Sequence, residues 1–113
     1  MHEMALAKSV LDIVADAARQ NGAGLVTAVR LEIGALSCVE PEALRFCFDA
    51  VARGSLAERA RLEIIATPGA AWCMPCEQTV PLPARGEPCP RCGSYQLEVV
   101  QGEVMRVKDI DIV

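Results

Sequence analysis

Two cysteine pairs of identical spacing constrain the fold of this chain more than any other feature. Cys73 and Cys76 stand in "CMPC", and twelve residues later the second pair stands in "CPRC". Two residues between the cysteines of a pair allow both thiolates to bind the same ion, and four thiolates suit tetrahedral Zn²⁺. The spacing therefore predicts one zinc site formed by Cys73, Cys76, Cys89 and Cys92. Four thiolates complete the coordination sphere, so we interpret this zinc as structural rather than catalytic.

The segment around these cysteines supports a metal site rather than simple burial of the thiols. Residues 69–102 are rich in proline and show little apolar periodicity. A segment of about 34 residues cannot build an adequate core unaided, whereas zinc can supply roughly 10–16 kcal/mol of folding free energy. An iron site of four cysteines is the minority alternative. Cys38 and Cys47 have no partner at ligand spacing, and we expect them to be small core residues.

Outside this segment the apolar pattern predicts two helices. Residues 4–20 carry apolar side chains at helical spacing, and Asn21-Gly22 marks the end of that helix. The predicted buried stripe consists of Met4, Ala7, Leu11, Val14 and Ala18. A second helix follows Glu40, with Pro41 in its first turn and Gly54 after its end. Its predicted buried residues are Leu44, Cys47, Phe48 and Val51.

Alternating segments predict three strands. Residues 25–34 place Leu25, Val29, Leu31 and Ile33 on one face, and residues 61–68 form a second strand. The end of the chain returns to strand character, with a slip of phase near Lys108-Asp109 that predicts a bulge. The last strand must join the sheet begun before the cysteine-rich insert, because a lone strand is not stable.

The order of elements predicts an α+β fold with two helices on a small three-stranded sheet and an inserted zinc-ribbon-like domain. Residues 1–68 together with 103–113 would form the first domain, and residues 69–102 the insert. A net charge of −4 argues against general nucleic-acid binding. No apolar run approaches the roughly 18 residues of a membrane span, and Asp12 and Asp16 interrupt any signal-like stretch. We therefore expect a cytoplasmic protein without a nucleic-acid or membrane partner.

The opening tripeptide Met1-His2-Glu3 contains the only histidine of the chain. An amino group, the amide nitrogen of residue 2 and the imidazole can form two fused chelate rings on one ion. The Glu3 amide or a carboxylate can complete a square plane, which suits Ni²⁺ or Cu²⁺ better than Zn²⁺. Protons on the amine and imidazole must leave, so binding weakens as the pH falls toward about 6. The alternative interpretation is an idle polar residue at a frayed end.

Three features taken together resemble one known family. They are "MHE" at the start, "IGALSCVEPEALRFCFD" in the middle and the paired cysteine boxes, in this order and over essentially the whole chain. The chain thereby resembles the HypA/HybF family of hydrogenase maturation nickel metallochaperones. The resemblance implies that His2 binds nickel through its imidazole and backbone nitrogen, with the Met1 amine and the Glu3 backbone as further donors. It also implies that the four cysteines bind zinc and that Glu40 is a further candidate donor for nickel.

The resemblance implies a function as well as a site. Ni(II) would be a transferred cargo and Zn(II) a structural cofactor. Nickel would pass to the [NiFe]-hydrogenase large subunit with the help of the maturation GTPase HypB, and some members of the family also serve urease maturation. Some members carry a histidine after a cysteine pair, where this chain has Glu77 and Gly93. A zinc-site acid sensor based on histidine is therefore not expected.

Three other functional classes are alternatives to the nickel metallochaperone. An enzyme is not expected, because no nucleophile–base pair or phosphate loop is visible. A nucleic-acid-binding zinc ribbon is disfavoured, because Arg85 and Arg91 are the only basic residues of the insert. A zinc-ribbon interaction adaptor that does not bind nickel is the remaining alternative. We expect a monomer or a weak homodimer.

Overall fold

The computed structural model describes residues 2–113 and shows two helices and two small sheets. The helices are α1 (Glu3–Gln20) and α2 (Pro41–Ala52), and the strands are β1 (Val26–Gly34), β2 (Arg61–Thr67), β3 (Ala70–Cys73), β4 (Gln78–Pro81), β5 (Leu97–Gln101) and β6 (Met105–Ile112). One sheet has the order β2-β1-β6, and the other has the order β4-β3-β5. The predicted α+β class is confirmed. No helix among the described residues is both long and apolar enough to cross a bilayer.

The chain divides into two compact units. The first unit contains the residues up to Glu32 together with Val39–Ile65 and Arg106–Val113. The second unit contains Ile33–Cys38 and Ala66–Met105. The short segment before α2 thus groups with the cysteine-rich part of the chain. The functional division of the sequence, with residues 1–68 plus 103–113 for nickel and residues 69–102 for zinc, stays a prediction.

Helix α1 begins and ends where the sequence predicts. His2 is its N-cap residue, and at the other end Gly22 adopts a φ of 69°, which glycine reaches without strain. The buried residues are Ala7, Val10, Val14 and Ala18. The predicted stripe was therefore wrong at two positions. Met4 is 43% exposed, and Val10 rather than Leu11 is buried. Both sets of positions have helical spacing, so only tertiary packing selects between them.

Helix α2 has a strong N-terminal cap. The carboxylate of Glu40 accepts hydrogen bonds from the backbone N–H groups of Glu42 (2.9 Å) and Ala43 (3.3 Å). Pro41 follows in the first turn, where its missing N–H costs nothing. The buried residues are Leu44, Phe48 and Ala52, whereas the predicted Cys47 and Val51 are only half-buried.

Strand β1 lies in the centre of its sheet and carries most of the buried apolar strand residues of the first unit. Val29, Leu31 and Ile33 are buried as predicted. Leu25 is 57% exposed, so its predicted place on the buried face was wrong. The alternation changes phase at Ala28 and Val29, which are adjacent and both buried.

The opposite face of this sheet carries charged side chains that connect the strands. Arg30 on β1 donates to Asp109 (2.8 Å) and Asp111 (3.0 Å) on β6. Its guanidinium nitrogen also lies 3.7 Å from a carboxylate oxygen of Glu63 on β2. These hydrogen bonds hold the pKa of Asp111 below its usual value. Lys108 and Asp109 are adjacent and both exposed at the predicted slip of phase, while the bulge itself stays a prediction.

The second unit depends on a close approach of backbone segments around Leu36. The N–H of Leu36 donates to the carbonyl of Gly102 (2.8 Å), and the N–H of Gly34 donates to the carbonyl of Val104 (2.9 Å). The Leu36 side chain is buried with Ala71 and Leu82. These contacts explain why the segment before α2 groups with the second unit.

We expect a methyl group at Gly34 to disrupt this approach. A Cβ atom there would lie 2.1 Å from the carbonyl oxygen of Gly102, which is backbone and cannot rotate away. Gly34→Ala should lower the free energy of unfolding by at least ~3 kcal/mol, measured by urea denaturation of the zinc-loaded protein. Gly24→Ala is the matched control, because nothing lies within 4 Å of its added Cβ. Equal stability of the two variants would contradict this close contact between Gly34 and Gly102.

Candidate metal centres

The four predicted cysteines converge on one point. All four sulfur atoms lie within 4.8 Å of one another. The Sγ atoms of Cys73 and Cys92 are 3.6 Å apart, and those of Cys76 and Cys89 are 3.9 Å apart. Four sulfurs held tetrahedrally at a Zn–S distance of about 2.3 Å would be about 3.8 Å apart. The arrangement therefore fits a tetrahedral ion of zinc size.

Both cysteine pairs are shaped by the same backbone turn. The N–H of Glu77 donates to the carbonyl of Cys73, and the N–H of Gly93 donates to the carbonyl of Cys89, both at 2.9 Å. The residue that closes each turn has a left-handed backbone, with φ of 51° at Glu77 and 77° at Gly93. Each turn follows a strand or loop that delivers its first cysteine to a buried position. The two-residue spacing in the sequence is thus the spacing that this turn requires.

The thiols strongly influence one another's protonation. The thiol of Cys92 and burial raise the pKa of Cys76 to about 12, and burial also raises the pKa of Cys73. Burial acts against the Cys89 thiolate as well, but backbone N–H groups of Cys92 and Arg91 donate to it and lower its pKa to about 6. The Arg91 nitrogen lies 3.4 Å from the sulfur. A site that holds one thiolate readily and resists further negative charge needs a cation to hold four.

The two remaining cysteines are not ligands of this centre. Cys38 is exposed and has a φ of 63°, so the expectation that it is a core residue was wrong. Cys47 is half-buried on α2. Neither residue belongs to the metal-binding group of sulfur atoms.

The second predicted site lies at the start of α1. Met1, one of its predicted donors, lies outside the described residues. His2 is exposed, and its carbonyl accepts the first helical hydrogen bond, from the N–H of Leu6 (3.1 Å). The first N–H groups of a helix have no acceptor within the helix, so the amides at this end are not needed for helical hydrogen bonding. His2 thus presents an imidazole next to backbone nitrogens that take no part in the helical hydrogen bonding.

The side chain of Glu3 connects the start of α1 to the start of α2. One of its carboxylate oxygens accepts a hydrogen bond from the backbone N–H of Glu40 (3.3 Å). That bond is the main reason why the pKa of Glu3 is lowered, with smaller contributions from its own N–H and nearby positive charge. The carboxylate of Glu40 is itself engaged as the cap of α2. Sequence reasoning missed this contact, because no local pattern relates residues 37 positions apart.

Side chains alone form the cysteine centre, whereas they do not form the site at the start of α1. Among residues 2–113, the four cysteines are the one group of three or more potential ligand side chains that converge on a point. His2, Glu3 and Glu40 lie at neighbouring helix starts without such convergence. A site at the start of α1 therefore has to draw on backbone nitrogen atoms as well as on side chains.

One family model and several relatives match almost the whole chain. The family model described as "Hydrogenase/urease nickel incorporation, metallochaperone, hypA" matches residues 1–112. The chain belongs to the HypA family. It is 55% identical over 112 residues to the hydrogenase maturation factor HypA of Rhodopseudomonas palustris (strain BisB5), with 99% of each chain covered. It is 56% identical to the factor of the same name from Albidiferax ferrireducens, again with 99% of each chain covered.

Two solved structures have a similar fold. The solution structure of the Ni metallochaperone HypA from Helicobacter pylori matches with a TM-score of 0.73 at 23% identity, and covers 100% of this chain and 98% of that one. A second HypA solution structure matches with a TM-score of 0.74, also at 23% identity, and covers 100% and 97%. At this identity the two structures support the fold alone.

The two left-handed turn residues provide a matched pair of variants. Gly93→Ala should lower the free energy of unfolding by about 1 kcal/mol, because a β-carbon is disfavoured at positive φ. Glu77→Gly removes a β-carbon from the equivalent position, so it should not destabilise the protein. Thermal unfolding of both zinc-loaded variants measures the difference. A loss of stability in Glu77→Gly as large as in Gly93→Ala would show that the two turns are not equivalent.

Proposed function

We propose that this protein is a nickel metallochaperone that binds Ni(II) at its N-terminus and delivers it to the [NiFe]-hydrogenase large subunit. The observation that carries the proposal is the family match over residues 1–112, which includes both Met1-His2-Glu3 and the two cysteine boxes. The GTPase HypB is the proposed partner in delivery, and urease maturation is a second destination implied by the family. The proposed location is the cytoplasm.

In this proposal nickel is held mainly by nitrogen. The donors are the Met1 amine, the backbone nitrogen and imidazole of His2, and the backbone nitrogen of Glu3. Square-planar nitrogen donation suits Ni²⁺. The exposure of His2 and the lack of helical acceptors for the first amides of α1 support this assignment.

A cation bound at the start of α1 needs negative charge nearby. The N-terminal end of a helix carries partial positive charge, which opposes Ni²⁺. Deprotonation of amide nitrogens by the metal removes part of that opposition, and the nearby carboxylate of Glu3 supplies negative charge. Glu40 is a further candidate donor, because only one of its two carboxylate oxygens accepts the capping hydrogen bonds.

An exposed terminal site suits a cargo rather than a permanent cofactor. Its donors are few and accessible, so an acceptor protein can replace them one at a time. The cysteine centre has the opposite character, because two of its four thiols are buried and a full set of thiolates leaves no position for exchange. We assign Zn(II) to Cys73, Cys76, Cys89 and Cys92 as a structural ion of residues 69–102. A monomer or weak homodimer is compatible with this role.

A zinc-ribbon adaptor without nickel is the second candidate. It is favoured by the fact that His2, Glu3 and Glu40 do not form a converged side-chain group among the described residues. In that case His2 would be idle, and the protein would act only by contact with its partners.

Nickel titration at pH 7.5 distinguishes the two candidates. The native, tag-free, zinc-loaded chain should bind one Ni²⁺ with a square-planar absorbance spectrum. His2→Ala and a chain with Gly-Ser placed before Met1 should each bind more than about tenfold more weakly, because each loses a donor of the chelate. Binding by the native chain should weaken as the pH falls toward about 6, since protons compete for the same nitrogens. Glu42→Gln serves as a control for the loss of a nearby charge.

Two outcomes would contradict the proposed nickel site. Equal binding by the native chain, His2→Ala and the extended chain would move nickel elsewhere in the protein. Failure of the native chain to bind nickel would support the adaptor. Calorimetry gives the stoichiometry and absorbance gives the geometry, so neither outcome depends on a hydrogenase assay.

A separate measurement tests the zinc assignment. Cys89→Ser removes a buried ligand and should lower zinc content well below one ion per chain, with loss of the cooperative unfolding transition reported by Trp72 fluorescence. Cys47→Ser should keep one zinc, because Cys47 is not part of the cluster. Metal analysis after extensive dialysis measures both. Retention of a full zinc ion by Cys89→Ser would refute the four-thiolate site.

A further inference from the structure

Three large apolar side chains are exposed together on the second unit. The exposed fractions are 38% for Trp72, 59% for Met74 and 72% for Tyr95. Exposed apolar residues that cluster, unlike scattered ones, mark surfaces that contact another molecule. Aromatic side chains and methionine are also enriched in protein–protein interfaces.

Strand register places a carboxylate beside this cluster. Trp72 on β3 lies directly opposite Glu98 on β5 and opposite Thr79 on β4. Residues directly opposite in a sheet point to the same face, with Cβ atoms about 4.5–5.5 Å apart. The indole of Trp72 therefore has an acidic neighbour on its exposed face.

The same carboxylate borders a surface depression. A cavity of about 280 Å³ is lined by Met74, Tyr95, Gln96, Leu97 and Glu98. A hydrogen bond from the N–H of Met74 to the carbonyl of Gln96 (3.1 Å) holds its two sides together. Glu98 therefore joins the indole to the apolar depression. We call Trp72, Met74, Tyr95 and Glu98 the Trp72–Glu98 surface.

The cationic side chains of the second unit are engaged elsewhere. Arg85 donates to the carboxylate of Glu103 and to the carbonyl of Leu36, and Arg91 donates to the side chain of Gln78. No ion pair joins Glu98 to any residue in the described part of the chain. An aromatic face with an adjacent carboxylate and no cation of its own is complementary to a cationic side chain.

We propose that the Trp72–Glu98 surface docks an extended segment of a partner protein that carries an arginine next to an apolar side chain. The guanidinium stacks on the indole of Trp72 and pairs with the carboxylate of Glu98. The neighbouring apolar side chain enters the depression between Met74 and Tyr95. The planar guanidinium can do both at once, which a lysine ammonium does less well.

Charge favours a different protein over a second copy of this chain as the occupant. The chain has a net charge of −4, so two copies repel each other on approach. A partner segment with a positive charge is instead attracted. This docking surface goes beyond the proposed nickel function and does not rest on it.

The single tryptophan of the chain allows a direct test. The full-length, zinc-loaded protein, without nickel, would be titrated with the peptide acetyl-Leu-Arg-Leu-amide while Trp72 fluorescence is followed. The control peptide contains citrulline in place of arginine, which keeps the shape and removes the charge. The arginine peptide should bind about fivefold more tightly than the citrulline peptide, and added salt should reduce the difference.

Two variants make the test specific. Glu98→Gln should abolish the preference for arginine, whereas Asp12→Asn, which removes an exposed acid from α1, should leave it unchanged. An equal response to both peptides would overturn the proposal, and so would a preference that survives in Glu98→Gln. Absence of any fluorescence change with the arginine peptide at millimolar concentration would overturn it too. Because nickel is absent throughout, these results are independent of the nickel titration.

Discussion

The convergence of Cys73, Cys76, Cys89 and Cys92 is the constraint on which the second unit depends. The apolar clusters of this unit are small, and one of them consists of Val80 together with Cys73 and Cys89 themselves. Removal of the metal would leave buried thiols in place of a cross-link between the end of β3, the turn that follows it and the loop before β5. The short strands of this unit have little other apolar burial to hold them. Folding of this part of the chain is therefore coupled to metal binding.

The backbone around Leu36 shows how a segment distant in sequence belongs to the second unit. The segment between β1 and α2 places Leu36 in a cluster with Ala71 and Leu82. Its backbone is held by hydrogen bonds to Thr67 and Gly102. Glycines at positions 34, 69 and 102 permit the close approach, since a β-carbon at each would meet another atom at less than 3 Å. A segment that reads as a simple loop is thus a structural part of the second unit.

The starts of the two helices illustrate how one residue type serves different purposes. Glu40 caps α2 by accepting N–H groups of its first turn, and the carboxylate of Glu3 accepts the N–H of Glu40. Both carboxylates satisfy backbone donors that would otherwise have no partner in a helix. In the proposed nickel site the same acids offset the positive end of α1. The proposal therefore assigns a nickel-related role to two carboxylates that already have a structural one.

Local patterns predicted the elements well, since helix ends depend on nearby residues. The end of α1 at Asn21-Gly22 and the start of α2 at Pro41 follow from backbone preferences of glycine and proline. The choice of Val10 over Leu11, the exposure of Leu25 and the exposure of Cys38 were not predictable in this way. Each depends on what packs against the element, and adjacent apolar residues on one helix fit the same periodic pattern equally well.

The sequence alone determined which residues form the sulfur site and what kind of ion suits it, because ligand type and spacing are local properties of the chain. Two cysteine pairs with two-residue spacing specify a tetrahedral sulfur site wherever they are brought together. The tertiary structure determined that they do come together, with sulfur separations of 3.6 and 3.9 Å. It also determined the contact of Glu3 with Glu40 and the pairing of Trp72 with Glu98. These contacts join residues that are distant in sequence, so they depend on strand register and helix packing, which no short stretch of sequence records.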